Sequence, residues 1–243
     1  MTDFEGNRSR PYNPDPVSEP EAPPRKGILR DYFETIVVCV IFVIFSRGFV
    51  FQQSKIPTGS MEDTLLVGDY IMVNRFAYAP TATGLEKAIL PVRDIRRGDV
   101  IVFKFPEDPD TDFIKRVIGL PGDRVEMRGG QTFINGQLLD EPYMLDEHRD
   151  YQPFPIPGIP PTPVPDNCYF VMGDHRNNSR DSRVWGCVPR DLIRGRAFLI
   201  WYSYPEASNE YLLAGKDWAK AFARKLVRAI PDSRWSRCFT IIR

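Results

Sequence analysis

Apolar side chains are sparse in the first thirty positions, which are polar and interrupted by Pro11, Pro14, Pro16, Pro20, Pro23 and Pro24. With so little to bury, residues 1–30 predict a tail that does not fold. From Tyr32 to Phe51 the balance reverses around the uninterrupted apolar run Ile36 to Phe45. Twenty helical residues span about 30 Å, the hydrocarbon thickness of a bilayer, so a transmembrane helix is expected within 31–52. Two readings compete with it. A cleavable leader is disfavoured because Arg47 interrupts the small residues a cleavage site requires and the apolar pattern resumes at Phe49. A buried core helix is permitted by Glu34 and Arg47 near the ends. Arg25, Lys26 and Arg30 before the span outweigh Arg47 and Lys55 at or after its end, a bias that leaves the tail in the cytoplasm and the remainder outside.

Beyond the span the period changes from helical to two. Tyr70–Phe76, Val100–Phe105, Phe113–Ile118, Arg124–Met127, Tyr169–Met172 and Ala197–Tyr202 are short, rich in β-branched and aromatic residues, and punctuated by Gly and Pro. They predict a mostly β domain over 53–211. Asn135-Gly136 between two apolar stretches predicts a tight type I′ hairpin. Gly68-Asp69, Gly98-Asp99 and Gly122-Asp123 each open a strand and are expected to be turns closed by the aspartate. A loop is expected around Pro80 to Pro91, and an extended insert over 153–165, where seven prolines fall. After Tyr211 the chain becomes a basic amphipathic segment, 212–243, with Trp218, Phe222, Leu226 and Ala229 on one helical stripe and Lys220, Arg224, Lys225 and Arg228 among the rest. Such a helix suits either an anionic membrane surface or the face of its own domain.

Composition changes this picture mainly by exclusion. Thirty-two basic and thirty-two acidic residues cancel, so the charge imprint of a nucleic-acid binder is missing. Two histidines (His148, His175) and four cysteines (39, 168, 187 and 238) without a C-x-x-C spacing argue against a metal site, and no cofactor is expected. Cys168 and Cys187 would meet if their strands were neighbours; by default they are read as buried free thiols.

Ile56-Pro57-Thr58-Gly59-Ser60-Met61 follows the apolar span within a few residues. Ser60 with Asp63 forms an S-x-x-D capping pattern, which accounts for the serine structurally. A serine at such a turn also has backbone N–H groups without helical partners, the raw material of an oxyanion hole. Its hydroxyl needs a base to become a nucleophile. His175 lies in the polar run 173–178, where solvation is the ordinary fate. Lys115 shares a strand face with Phe113 and Val117, so one of the two consecutive cations, Lys115 and Arg116, is directed at apolar neighbours. Desolvation there would favour the neutral amine, unless the side chain snorkels to water.

With those residues in hand, the chain past the tail resembles the bacterial type I signal peptidases. Residues 57–61 are similar to that family's nucleophile box, 68–73 to the strand after it, 97–103 and 113–123 to the next two motifs, and 169–174 with 178–186 to the last. No single box decides; the ordered set is specific. The resemblance implies a β-sheet catalytic domain on an N-terminal anchor, single-pass in the bacterial cytoplasmic membrane with the domain on its outer face. It implies lipid and preprotein signal peptides as partners, and hydrolysis at A-x-A-type sites by a Ser60/Lys115 dyad. It further implies the Ser60 N–H and Thr58 hydroxyl as oxyanion donors, and Ser179 as the serine that orients the lysine. Gly173 falls in the family's last box, the pairs Asp181 with Arg183 and Asp174 with Arg116 match supporting ion pairs, and Ile56, Met61, Leu65 and Ile114 match residues of apolar substrate pockets. Thr58 departs from the more frequent serine, and His175 and Asn177 from Asn and Asp. Asp63 stands where an S-x-x-K hydrolase needs lysine. A Ser/Lys self-cleaving repressor would need a DNA-binding domain in place of the tail and span. A membrane-tethered β-domain that only binds partners is the remaining alternative.

Overall fold

The computed structural model describes residues 28–45, 51–78, 92–155, 161–205, 228 and 230–242. Most of the expected tail, the loop around Pro80 to Pro91, the middle of the proline-rich insert and the stripe Trp218 to Ala229 lie outside the described residues. Two compact units divide between residues 42 and 43. To the first belongs most of helix α1, Ile28–Phe45, whose first turns carry Arg30, Asp31 and Glu34 with an Arg30–Glu34 ion pair at 2.8 Å. Among the described residues, no helix is long and apolar enough to cross a membrane. The expected span runs past the described helix at its C-terminal end, and its last residue, Phe51, already belongs to a strand.

The second unit is built on antiparallel strands: β1 (Phe51–Lys55), β2 (Asp69–Asn74), β3 (Val100–Phe105), β4 (Asp108–Gly119), β5 (Val125–Arg128), β6 (Gln131–Ile134), β7 (Gln137–Leu138), β8 (Cys168–Met172), β9 (Val188–Pro189), β10 (Ile193–Ser203) and β11 (Thr240–Ile241), with a short α-helical turn, α2 (Ser182–Trp185), and several 3-10 turns. The larger sheet runs β1-β2-β10-β3-β4-β8-β9, with β11 on β10; β5-β6-β7 form a smaller one. The apolar run of β3 feeds both faces. Val100 and Val102 join a core with Ile71, Val73, Ala197 and Ile200, whereas Ile101 and Phe103 join another with Tyr78, Val117, Val171 and Val188. A strand covered on both sides has no need of polar alternation.

The three Gly-Asp turns share one construction. The carboxylates of Asp69, Asp99 and Asp123 accept from the N–H of Leu66, Arg96 and Leu120, three residues back, at 2.9, 2.9 and 2.7 Å. Each also holds an arginine: Arg237, Arg93 and Arg97 respectively. Asn135 and Gly136 take φ of 53° and 81°, as a type I′ hairpin requires. The proline-rich insert is more than a spacer at its ends. Phe154 bridges Met127 and Pro163 bridges Arg124, so its two flanks run along β5, and Val164 is buried. The last residues also fold back: β11 pairs with Leu199 and Ile200 of β10, and Ile242 enters the first core.

Candidate active site

Residues 56–68 leave β1 and return to β2 as a closed loop, its neck held by the Ile56 N–H to Asp69 (2.9 Å) and the Gly68 N–H to Ile56 (3.0 Å). Buried Met61 and Leu65 pin the loop to the core from inside, and successive turns link Glu62 to Gly59 and Thr64 to Met61. Ser60 sits on this scaffold half-buried. The capping pattern read from Ser60 and Asp63 does not form. Asp63 instead accepts from the Leu145 N–H at 2.9 Å and pairs with Nδ1 of His148, while the Ser60 hydroxyl turns to Lys115. Among the described residues the Ser60 N–H has no acceptor, and exposed Thr58 stands in the same turn.

Lys115 Nζ and Ser60 Oγ are 2.5 Å apart. The lysine does not snorkel: it is 4% exposed, lies opposite Ile101 on β3, and its Nζ stands 5.7 Å from the centre of the Phe113 ring. Burial holds its pKa down at about 8 from an ordinary 10.5, against the opposing pull of Asp181 and Asp174 and with a smaller downward push from Arg183. Arg116, for which the resemblance implies an ion pair with Asp174, is buried as well, at 1% exposed. Its charge is matched. The Arg116 guanidinium donates to both oxygens of Asp174 at 2.8 and 2.7 Å, to the Gly98 carbonyl at 2.8 Å and to the Thr64 hydroxyl at 2.9 Å, and lies 3.8 Å over the Tyr143 ring. Thr64 completes the triangle by donating to Asp174 at 2.6 Å.

The loop between β8 and β9 approaches the same serine from the other side. Asp181, fully buried, accepts from the Gly173 N–H (3.0 Å), the Ser179 hydroxyl (2.7 Å) and Arg183 Nε (2.8 Å). Arg183 reaches onward to the Arg176 carbonyl at 2.7 Å and to Asp150 at 2.7 Å. Ser179 therefore lies beside the dyad but gives its proton to Asp181 and makes no hydrogen bond to Lys115. A Cβ on Gly173 would fall 2.3 Å from the Ser60 carbonyl oxygen and 2.4 Å from Ser179 Oγ, so side-chain absence is what lets the two segments meet.

Sequence reasoning missed Thr64, and it left His175 to solvent. The His175 N–H donates to the Ser60 carbonyl at 3.3 Å, and its Nδ1 stands 3.0 Å from Glu62. Its ring stacks on that of His148, centroids 3.7 Å apart. No local pattern foretells a contact between residues so far apart in sequence. Ile56, Met61, Leu65 and Ile114 do gather in one cluster, but the first three are at most 2% exposed and belong to the core. Of the four, only Ile114 offers surface. No set of three metal-ligating side chains occurs among the described residues.

A family model described as signal peptidase, peptidase S26, matches residues 29–202. The chain is 33% identical over 214 residues to a signal peptidase I of Pseudomonas aeruginosa, covering 75% of each chain. It is 35% identical over 233 residues to one of Pseudomonas fluorescens, covering 81% of this chain and 82% of that one. A probable signal peptidase I-2 of Synechocystis is 38% identical over 191 residues, with 76% and 78% covered. A crystal structure of a signal peptidase I from Enterococcus faecalis aligns at a TM-score of 0.38 and 32% identity, over 43% of this chain and 97% of that one.

Proposed function

The chain belongs to the signal peptidase family, peptidase S26, and on that premise we propose that it removes signal peptides from exported preproteins, with Ser60 as nucleophile and Lys115 as general base. What supports the dyad is one relationship: Lys115 Nζ is both buried and 2.5 Å from Ser60 Oγ. Ser60 Oγ attacks the scissile carbonyl carbon while the neutral amine takes its proton. The ammonium so formed returns that proton to the leaving amine, and the amine then activates the water that releases the acyl chain. The unpartnered Ser60 N–H and the Thr58 hydroxyl are the donors for the tetrahedral oxyanion.

The other groups position this pair. Arg116 with Asp174 fixes Thr64 on the nucleophile loop, and Asp181 with Arg183 fixes Gly173 and Ser179 against the Ser60 backbone. Ile114, with Ile56, Met61 and Leu65 beneath it, forms the apolar floor that admits alanine at the two recognised positions of an A-x-A site. The apolar run of α1, with Arg25, Lys26 and Arg30 before it, is the anchor that leaves the catalytic domain on the outer face of the bacterial cytoplasmic membrane.

The test is cleavage of a preprotein with an A-x-A site by the detergent-solubilised full chain. One cut, after the second alanine, is expected in the parent and none in Ser60→Ala or Lys115→Met. Full activity in either variant would remove the dyad.

A further inference from the structure

The loop that carries Gly173, Asp174, Ser179, Asp181 and Arg183 has a cysteine at each root. Cys168 opens β8 and Cys187 directly precedes β9. In the antiparallel register Cys168 faces Pro189 and Tyr169 faces Val188, which sets Cys187 across from Phe170, on the same face as Cys168 and diagonal to it. Both cysteines pack on one buried cluster with Ile118, Val125, Met127, Phe170 and Met172. Both are free thiols, and burial together with the nearby Cys168 pushes the Cys187 thiol up to about 12. Cys168 lines a cleft of about 790 Å³ shared with Tyr78, Asn167 and Pro189, which gives a small oxidant a way in.

We propose that Cys168 and Cys187 form a disulfide in an oxidising environment and that this bond clamps the loop carrying the positioning residues. The compartment rests on the proposed outer-face orientation; the bond does not. Any low-molecular-weight disulfide supplies the two electron vacancies. The Cys168 thiolate attacks one sulfur of oxidised glutathione, breaking its S–S bond and releasing one glutathione thiolate. Cys187 then loses its proton and attacks the Cys168 sulfur, forming the protein disulfide and releasing the second glutathione thiolate. Two protein thiols are oxidised, one glutathione disulfide is reduced to two thiols, and the two protons leave on them. The closed ring runs from 168 to 187 and holds both Gly173 and Asp181, so opening it would loosen the contacts of Gly173 with Ser60.

A Cys39→Ser/Cys238→Ser variant of the full chain in detergent leaves the two cysteines of interest. After incubation with oxidised glutathione, alkylation and digestion, mass spectrometry is expected to find no alkylated thiol and one peptide pair linked through 168 and 187. Two alkylated thiols, or a separate glutathione adduct on each cysteine, would overturn the bond. Reductant is expected to shorten the thermal-inactivation half-life several-fold in this variant and to leave it unchanged when Cys168→Ala and Cys187→Ala are added. Equal half-lives with and without reductant in the parent variant would overturn the clamp. The thiol count needs no peptidase activity, so it stands or falls apart from the proposed function.

Discussion

Arg116 grips both carboxylate oxygens of Asp174, at 2.8 and 2.7 Å, at the position next to Lys115 on β4. One residue is charged, buried and paired; its neighbour is buried without a carboxylate in hydrogen-bonding reach among the described residues. The pair does not serve the lysine by touching it. It locks Thr64, and with it the turn that presents Ser60, onto the strand that presents Lys115, while its other end holds the first residues of the loop after β8. Two neighbouring cations thus divide the labour, and the arginine could not replace the lysine because a guanidinium does not deprotonate near neutral pH.

Removing one partner of that pair leaves a buried charge uncompensated. Asp174→Ala is expected to cost about 3–5 kcal/mol of unfolding free energy. The double variant Arg116→Met/Asp174→Leu, which removes both charges, is expected to recover much of it. Urea unfolding of the parent, Asp174→Ala and the double variant measures this. A double variant as unstable as Asp174→Ala would contradict the assignment of the loss to the orphaned guanidinium.

With Lys115 as the proposed base, its protonation is expected to set the pH dependence of catalysis. With its pKa at about 8, the neutral amine falls tenfold per pH unit below that value. The logarithm of kcat/KM should rise with unit slope up to about pH 8 and then level. Lys115→Arg should be inactive throughout, by about 10³-fold or more. A parent rate flat from pH 5 to 9 would count against a lysine base.

Stability should move with pH in a different window. The unfolded chain keeps the Lys115 proton up to about 10.5, whereas the folded chain releases it from about 8. Between these values the unfolded state binds more protons, so stability rises with pH from about 8 to 10.5 and the gain is lost as pH falls back through 8. Lys115→Met carries no such charge. It should be more stable than the parent at neutral pH, by up to about 3 kcal/mol, while having no activity. Thermal unfolding at pH 7 and pH 10 tests this, the difference between variant and parent shrinking at the higher pH.

The burial of Lys115 had a physical reason in sequence, since a strand with apolar neighbours at i−2 and i+2 sets the surroundings of the residue between them, as Phe113 and Val117 do for Lys115; its pairing with Ser60 came from the family resemblance alone. The strands from Val100, Phe113 and Tyr169 and the Asn135-Gly136 hairpin were legible on the same grounds, since period and turn chemistry are local. β1 was not, because Phe51-Gln52-Gln53-Ser54-Lys55 is too polar to announce a strand and is one only by pairing with β2. The two-residue β9 and β11 are below the length at which alternation means anything. The burial of Arg116 was hidden too, since it depends on Asp174, fifty-eight positions away.

Thr58 is expected to act through its hydroxyl. Thr58→Val keeps the shape and loses the donor, and should lower kcat by about 10²-fold or more with little change in KM. Thr58→Ser should keep most of the rate. A fall in both variants would assign the effect to the methyl group instead.

Gly173 offers the sharpest test of how the two sides of the site meet. Its missing side chain lets the Ser60 carbonyl and the Ser179 hydroxyl come within 2.4 Å of where a Cβ would be, closer than real contacts allow, and the nearest of these atoms is backbone that no rotamer change can move. Gly173→Ala must therefore push the β8–β9 loop away from the nucleophile turn, weakening the His175 N–H to Ser60 carbonyl bond, which is already 3.3 Å long. The cores beneath do not involve this atom, so the sheet should survive. The expected result is a loss of at least tenfold in kcat, since displacements of about 1 Å at a reacting centre are felt on the order of 10²-fold, with a far-UV circular dichroism spectrum like that of the parent. Gly173→Ser should be worse, because its hydroxyl adds a second atom to the same space. Unchanged kcat in Gly173→Ala would mean that the loop and the nucleophile turn are not in contact during turnover.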